Sequence, residues 1–516
     1  MRIGVPRERA EGERRVAVHP DSVRKLVKRG HEVVLEEGAG AGALIADHEF
    51  EAAGASIAKV DDVWAADVVV KIDPPTVAEV ELLPEGGKVV SLMYAHVNED
   101  LVAALRGRKA TALALERIPR TSIAQSFDVL SSMANIAGYR AVIEGAGAFG
   151  SFLGQQMTAA GSKPAAKVLV IGAGVAGLAA IGAARALGAE VRAFDVRPVV
   201  KEEVESLGGV FLELDFEESG DGGGGYAKVM SKEFIDAEMA LFMEQAPEVD
   251  IVITTALIPG KKAPLLWTKD HVEAMRPGSV VVDMAAAQGG NCEVCEPDAV
   301  IEHQGVRIIG HTDLVSRMAP DASRFFGNNI VNLVKFLGLG QDEGVIAFDP
   351  ENRTVNPALV LVDGEDPPEL EPLPEPEKPQ PVAAVDSGPP TTHGAQVPAR
   401  DTRMRDGLLS LGAAVALLGL GMNAPTELLQ HLTVFVLACF VGWQVIWNVT
   451  AALHTPLMAV TNAISGIILV GGMLQAGAST TQWAAILGVV AILFASINVV
   501  GGFLVTHRML QMFRKD

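Results

Sequence analysis

The chain has 516 residues, 49% of them hydrophobic, a mean hydropathy of +0.29 and a net charge of −21. That length exceeds what one hydrophobic core holds, so two or three domains are expected, and the negative charge excludes a nucleic-acid partner because a phosphate backbone would be repelled. Three cysteines, Cys292, Cys295 and Cys439, build no disulfide framework and fit a reducing compartment.

The first residues, Met1-Arg2-Ile3-Gly4 running into Arg7, Glu8, Arg9 and Glu11, contain no apolar core of a signal peptide, which places the start of the chain in the cytoplasm. Short apolar runs then alternate with helical patterns. Val33 to Leu35, Asp67 to Lys71, Lys88 to Leu92 and Ala110 to Leu115 predict strands. Between the runs lie stretches such as Asp21 to Arg29, where Val23, Leu26 and Val27 share one helical face. This alternation predicts a parallel α/β lobe over 1–140. A helix is expected from Ser126 to Met157, leading into a second α/β lobe over 141–324. Its expected strands are Lys167 to Ile171, Glu190 to Phe194, Asp250 to Thr254, Ser279 to Asp283 and Arg307 to Ile309.

Two segments fit G-x-G-x-x-G. Gly145 to Gly150 follows a helical pattern, Ile136 to Glu144, and reads as a helix-packing run. Gly172-Ala173-Gly174-Val175-Ala176-Gly177 follows the strand pattern Val168 to Ile171 and opens an apolar helix from Leu178 to Leu187. Here the glycines serve a tight turn, a close approach of backbone to pyrophosphate, and close helix–strand packing. The helix N-terminus faces the phosphates with partial positive charge. After the next strand come Asp195, Val196 and Arg197. A carboxylate there accepts hydrogen bonds from the ribose hydroxyls and repels a 2′-phosphate, so NAD(H) is favoured over NADP(H). Arg197 softens that preference, and Asp195 at the strand end dominates it. A Gly/Asp-rich stretch from Glu217 to Tyr226 has the composition of a lid over the site, and equally of a surface loop.

Phe325 to Leu339 predicts a helix and Val355 to Val362 a strand, and residues 325–365 are expected to complete the first lobe. Residues 366–400 are Pro-rich and acidic and read as an extended tether. Between Arg405 and Arg508 there is no Lys or Arg, and apolar stretches near 407–424, 432–452, 456–477 and 483–505 each reach roughly the 20 residues a helix needs to cross a bilayer. The expectation for 401–516 is therefore an all-α transmembrane domain of four helices. Arg400, Arg403 and Arg405 before the set, and Arg508, Arg514 and Lys515 after it, put both ends in the cytoplasm. Asn448, Asn462, Ser465, Ser496 and Asn498 fall in these stretches, and His454 falls close to a span end, where it reads as an interface or loop residue; helix–helix hydrogen bonding is the ordinary use of such groups, and a proton route the rarer one.

Taken together, Arg120-Thr-Ser-Ile-Ala-Gln125-Ser-Phe-Asp128-Val-Leu-Ser131, the Lys167–Pro198 segment, Gly224-Gly-Tyr226-Ala-Lys228 and Thr254-Thr-Ala-Leu-Ile-Pro-Gly260 resemble the α subunits of proton-translocating NAD(P) transhydrogenases. So do Trp447-Asn448-Val-Thr, His454-Thr-Pro-Leu and Thr461-Asn-Ala-Ile-Ser-Gly466. The resemblance implies an alanine dehydrogenase-like fold of two Rossmann-like parallel-sheet lobes. It implies NAD(H) on this chain, NADP(H) on a partner β subunit, an α2β2 assembly in the bacterial inner membrane, and hydride transfer coupled to proton translocation. By the same resemblance Arg120, Gln125, Asp128 and Ser131 surround the nicotinamide and its ribose. Tyr226 closes over the nucleotide, and Thr255, Ala256 and Leu257 line the cofactor site.

The first lobe also resembles alanine dehydrogenase, at Arg15, Lys71 and His96, so a membrane-anchored amino-acid dehydrogenase is the alternative. That enzyme carries an aspartate just before Gln-Gly-Gly, where this chain reads Ala287-Gln288-Gly289-Gly290. An alanine neither gives nor takes a proton. Cys292-Glu-Val-Cys295 supplies only half of a structural zinc site, and no metal is expected.

Overall fold

The structure is a computed structural model that describes residues 1–214, 230–257, 262–339, 342, 344–370, 425, 433–440, 442, 466–478, 483 and 485–497. It divides into two compact units, Met1–Pro374 and Glu375–Asp516.

The first unit holds two seven-stranded sheets. One contains β1 (Arg2–Val5), β2 (Glu32–Glu36), β3 (Ser56–Ala58), β4 (Val68–Val70), β5 (Lys88–Ser91) and β6 (Thr111–Ala114). These pair in parallel in the order 6-5-4-1-2-3, and β16 (Leu359–Leu361) adds antiparallel to β6. Val68, Val69 and Val70 are all buried, the continuous apolar pattern of a strand covered on both faces. One face packs on the Pro20–Val27 and Ala319–Leu337 helices through Val23, Leu26, Phe326 and Ile330, and the other on Trp64, Leu83, Leu101 and Leu105.

The second sheet contains β9 (Lys167–Ile171), β10 (Glu190–Phe194), β11 (Val210–Phe211), β12 (Ile251–Thr254), β13 (Val280–Asp283), β14 (Val300–His303) and β15 (Val306–Ile309). Their order is 11-10-9-12-13-15-14, all parallel except β14, which pairs antiparallel with β15. The strand order reverses between β9 and β12. That is the position at which open α/β sheets bind ligands, at the carboxyl ends of the strands.

Both lobes are thus Rossmann-like, each with one antiparallel edge strand that the expectation of purely parallel sheets omitted. A hairpin of β7 (Gln156–Thr158) and β8 (Gly161–Lys163) stands apart from both sheets.

A long helix, Val129–Phe149, runs between the lobes. It stops earlier than the pattern to Met157 suggests, because Gly150 takes a left-handed conformation (φ 66°) that closes the last turn. The residues beyond it form the hairpin instead. The return helix begins at Ala319, six residues before the expected Phe325, because Pro320 in its first turn sacrifices no helical hydrogen bond. In the expected strand Val355 to Val362, a 3-10 turn at Asn356–Ala358 comes first, Leu359–Leu361 joins the sheet, and Val362 makes an isolated bridge to Glu365.

In the second unit the Gly466–Ala478 helix and helical residues 485–497 meet at Gly472 and Gly488. A Cβ on Gly472 would lie 2.9 Å from Ile492, and one on Gly488 2.9 Å from the Gly472 carbonyl. Small residues here let two backbones approach closely. Ser496 Oγ donates to the Ile492 carbonyl one turn back (2.7 Å), so its hydroxyl is used within its own helix. Among the described residues no helix is long and apolar enough to cross a membrane. The first expected span, 407–424, lies outside them, as do Asn448, His454, Asn462, Ser465 and Asn498.

Candidate functional site at the carboxyl end of the second sheet

The glycine turn follows β9 directly. Gly172 adopts φ 97°, which favours glycine, and a Cβ there would sit 2.5 Å from Thr255 Oγ1. A Cβ on Gly177 would lie 1.8 Å from the Gly172 carbonyl oxygen, so the helix can lie this close to the turn only with glycine at that position. The Val175–Ala186 helix begins at Gly174, whose lack of a side chain leaves the N-terminus without a side-chain cap. Uncapped amides and the helix dipole together favour an anion at this end.

Strand ends converge around this turn. Thr255, after β12, donates from Oγ1 to the Gly172 carbonyl (2.9 Å) and from its backbone N–H to Ile171 (2.9 Å). Asp195, after β10, accepts from the Ala173 N–H (2.8 Å). It also accepts from Arg197, at the backbone N–H (2.9 Å), Nε (2.9 Å) and Nη2 (2.9 Å). The Arg197 guanidinium thus lies against both carboxylate oxygens. Val196 and Ala256 are half-buried, and Leu257 is exposed at the rim. Tyr226 and the rest of the Glu217–Tyr226 stretch lie outside the described residues.

A further acid stands beside Asp195. Glu238 lies on the Lys232–Gln245 helix between Phe234 and Phe242, one turn from each, and all three are buried. Burial first, and then the negative charge of Asp195, push its carboxyl up to about 7. Sequence reasoning missed Glu238, although a glutamate in an apolar stripe at i, i+4, i+8 was the available signal.

The remaining expected residues sit where the first lobe meets the long helix. Asp128 is buried and caps the Val129–Phe149 helix, accepting from the Ser131 N–H (3.0 Å) and Ser131 Oγ (2.6 Å). Gln125 is exposed at the start of a 3-10 turn, and Arg120 is exposed on the loop before it. On residue pattern alone Gln125 and Asp128 read as an exposed helix-start pair; only Gln125 is exposed. The link to the glycine turn is the helix itself. A Cβ on Gly138 would lie 2.0 Å from the Ala176 carbonyl, so the two helices touch backbone to backbone there. Ser131 is seven residues back, roughly 10 Å along the axis at 1.5 Å per residue.

The other glycine run is used differently. Gly145 packs on Ile251 and Val282, Gly147 faces open space and Gly150 ends the helix.

Of the first-lobe groups that resemble those of alanine dehydrogenase, Lys71 and Arg15 are engaged in ion pairs. Lys71, 1% exposed, bonds Glu79 (3.0 Å) and lies 3.7 Å from Glu8. Arg15 Nε donates to Glu13 Oε1 (2.8 Å), and its Nη2 stands 4.0 Å from Asp73. His96 and Ala287 are exposed. Burial pushes the Cys292 thiol up to about 12 and raises that of Cys295, which favours the protonated form of both. Among the described residues no group of His, Cys, Asp and Glu suits a metal ion.

Residues 4–137 match the family "Alanine dehydrogenase/PNT, N-terminal domain" and residues 141–366 its C-terminal domain. Residues 431–515 match the "4TM region of pyridine nucleotide transhydrogenase", which marks this stretch as the membrane portion. The chain is 51% identical to NAD(P) transhydrogenase subunit alpha of Haemophilus influenzae over the full length of both. Among solved structures, a transhydrogenase from Sinorhizobium meliloti superposes with a TM-score of 0.65 at 41% identity, covering 71% of this chain and 100% of that one. An L-alanine dehydrogenase superposes with a TM-score of 0.59 at 28% identity, covering 71% of this chain and 96% of that one. The chain belongs to the NAD(P) transhydrogenase α-subunit family, oxidoreductases built on an alanine dehydrogenase-like pair of lobes with a membrane segment.

Proposed function

We propose that this chain binds NAD(H) and exchanges hydride with NADP(H) held on a partner β subunit, in an α2β2 assembly of the bacterial inner membrane. The observation that carries this reading is the uncapped start of the Val175–Ala186 helix, with Asp195 bonded to the same turn. The pyrophosphate lies on the amides of Gly174, Val175, Ala176 and Gly177, after the turn at Gly172. Asp195, Val196 and Arg197 receive the adenosine ribose, while Thr255, Ala256 and Leu257 continue the wall towards the nicotinamide. Arg120, Gln125, Asp128 and Ser131 orient the ring from the first lobe, and Tyr226 closes the site.

Direct transfer between two nicotinamides needs no acid or base. The protein supplies position, with the reacting carbons about 3–3.5 Å apart. The spent charges of Arg15 and Lys71 fit this better than amino-acid oxidation, in which a proton must leave nitrogen.

In this reading the domains are 1–140 with 325–365, 141–324, a tether over 366–400, and four helices over 401–516, with the α/β lobes on the cytoplasmic side. Proton movement through the membrane part, worth about 2.3 kcal/mol per charge per 100 mV, biases an otherwise nearly balanced exchange. Calorimetric titration of the purified chain tests the reading: NADH binds and NADPH binds far more weakly. The Gln125→Ala variant slows transfer to an NADP analogue far more than it weakens NADH binding. Preference for NADPH, or loss of binding at an unchanged transfer rate, would overturn it.

A further inference from the structure

The wall after β12 is held from behind by one side chain. Asn291 is wholly buried, and its Nδ2 donates both to the Ala256 carbonyl (2.9 Å) and to the Pro264 carbonyl (2.8 Å). It therefore ties Ala256 to Pro264. Its backbone carbonyl accepts from the Leu266 and Trp267 N–H groups (2.9 Å each), which fixes the residues after Pro264 as well.

Only a side chain with two donors on one atom fits between two carbonyls. The amide oxygen gains nothing from the arrangement, because Asn291 Oδ1 is buried without a hydrogen-bond partner among the described residues. Turning the amide over would set that oxygen against both carbonyls, so the donor orientation is fixed by its surroundings. A buried acceptor left unpaired is a local cost that calls for a compensating purpose.

The turn carrying Asn291 is itself anchored. Asp283, fully buried at the end of β13, accepts from Thr254 Oγ1 (3.1 Å), the Ala285 N–H (2.9 Å) and the Cys292 N–H (2.8 Å). Thr255 in turn bonds the Gly172 carbonyl. A continuous set of bonds thus runs from the glycine turn through Thr255 and Ala256 to Asn291, and back through Cys292, Asp283 and Thr254. We infer that Asn291 is a positioning residue for hydride transfer: its amide sets the height of the Ala256–Leu257 wall and so the placement of the nicotinamide against its partner. This rests on the reading that Thr255, Ala256 and Leu257 border the nucleotide.

The effect of Asn291 appears in the chemical step, since a misplacement of about 1 Å costs on the order of 100-fold in rate. The test uses the full chain co-purified with its partner subunit, with single-turnover transfer from NADH or from 4-deuterated NADH to an NADP analogue. Asn291→Asp keeps the shape and loses both donors. Transfer then slows by about 10- to 100-fold, NADH affinity stays within about threefold, and the deuterium isotope effect rises as chemistry becomes limiting. Asn291→Ser, which retains one donor, falls between the two and decides the matter if the Asp variant does not fold. An unchanged rate and isotope effect alongside a lowered melting temperature would reduce Asn291 to a structural role and overturn the inference. A loss that appears only in NADH affinity would do the same. Failure of the wild-type chain to bind NADH in this assay would instead overturn the nucleotide reading on which the inference rests.

Discussion

Arg197 lies along the carboxylate of Asp195, with Nε 2.9 Å from Oδ1 and Nη2 2.9 Å from Oδ2. The same carboxylate holds the Ala173 N–H of the glycine turn. One acid therefore fixes the turn, and one cation lies against its charge; on the proposed reading that acid faces the ribose.

Removing that charge changes cofactor choice. Hydrogen bonds to a charged group contribute about 1.5–3 kcal/mol each. Asp195→Asn is expected to raise the NADH Kd by about 10- to 100-fold and to leave little preference over NADPH. Arg197→Ala uncovers the carboxylate and moves the preference further towards NADH. Fluorescence titrations with both cofactors read the two shifts, and parallel changes in the two variants would remove Asp195 from the ribose.

Glu238 gives the second lobe a pH-dependent stability. Its carboxyl, raised from 4.5 to about 7 by burial and by Asp195, binds its proton more tightly in the folded chain than in the unfolded one. The stabilising contribution is complete below about pH 4.5 and is lost as pH rises towards 7. At about 1.4 kcal/mol per unit, the rise from 4.5 to about 7 makes the loss roughly 3–4 kcal/mol above that range. Glu238→Gln keeps the neutral shape. Its melting temperature is expected to match wild type near pH 5 and to exceed it at pH 8, and equal differences at both pH values would contradict the assignment.

The two glycine runs respond oppositely to alanine. Gly177→Ala forces a methyl against the Gly172 carbonyl, so NADH binding is lost by more than about tenfold and stability drops by about 1–3 kcal/mol. Gly147→Ala meets nothing and adds helix propensity, a gain of about 0.5–1 kcal/mol. Thermal melts and NADH titration of the pair would show whether the first run lies outside the nucleotide site.

Lys71 is a structural cation between two buried carboxylates. Lys71→Met leaves Glu8 and Glu79 without their shared partner, and breaking a buried pair this way costs about 3–5 kcal/mol. Denaturant unfolding measures that loss. A fully stable variant with abolished transfer would instead make Lys71 a participant in the chemistry.

The sequence determined whatever depends on short-range pattern. The run Val168 to Ile171 followed by Gly172, Gly174 and Gly177 specified strand, turn and helix, because those glycine spacings answer to local backbone geometry. Continuous valine runs specified strands buried on both faces, and a hundred residues without a cation marked the membrane portion. What required tertiary structure depends on contacts between segments distant in the chain. The bond from the Ala173 N–H to Asp195, the burial of Glu238 beside that acid, and the tie from Asn291 to Ala256 and Pro264 arise only once β10, β9, β12 and β13 stand side by side. Periodicity along a strand or helix records which face is apolar. It carries no record of which buried polar atom meets which, because that is set by the order and register of strands far apart in sequence.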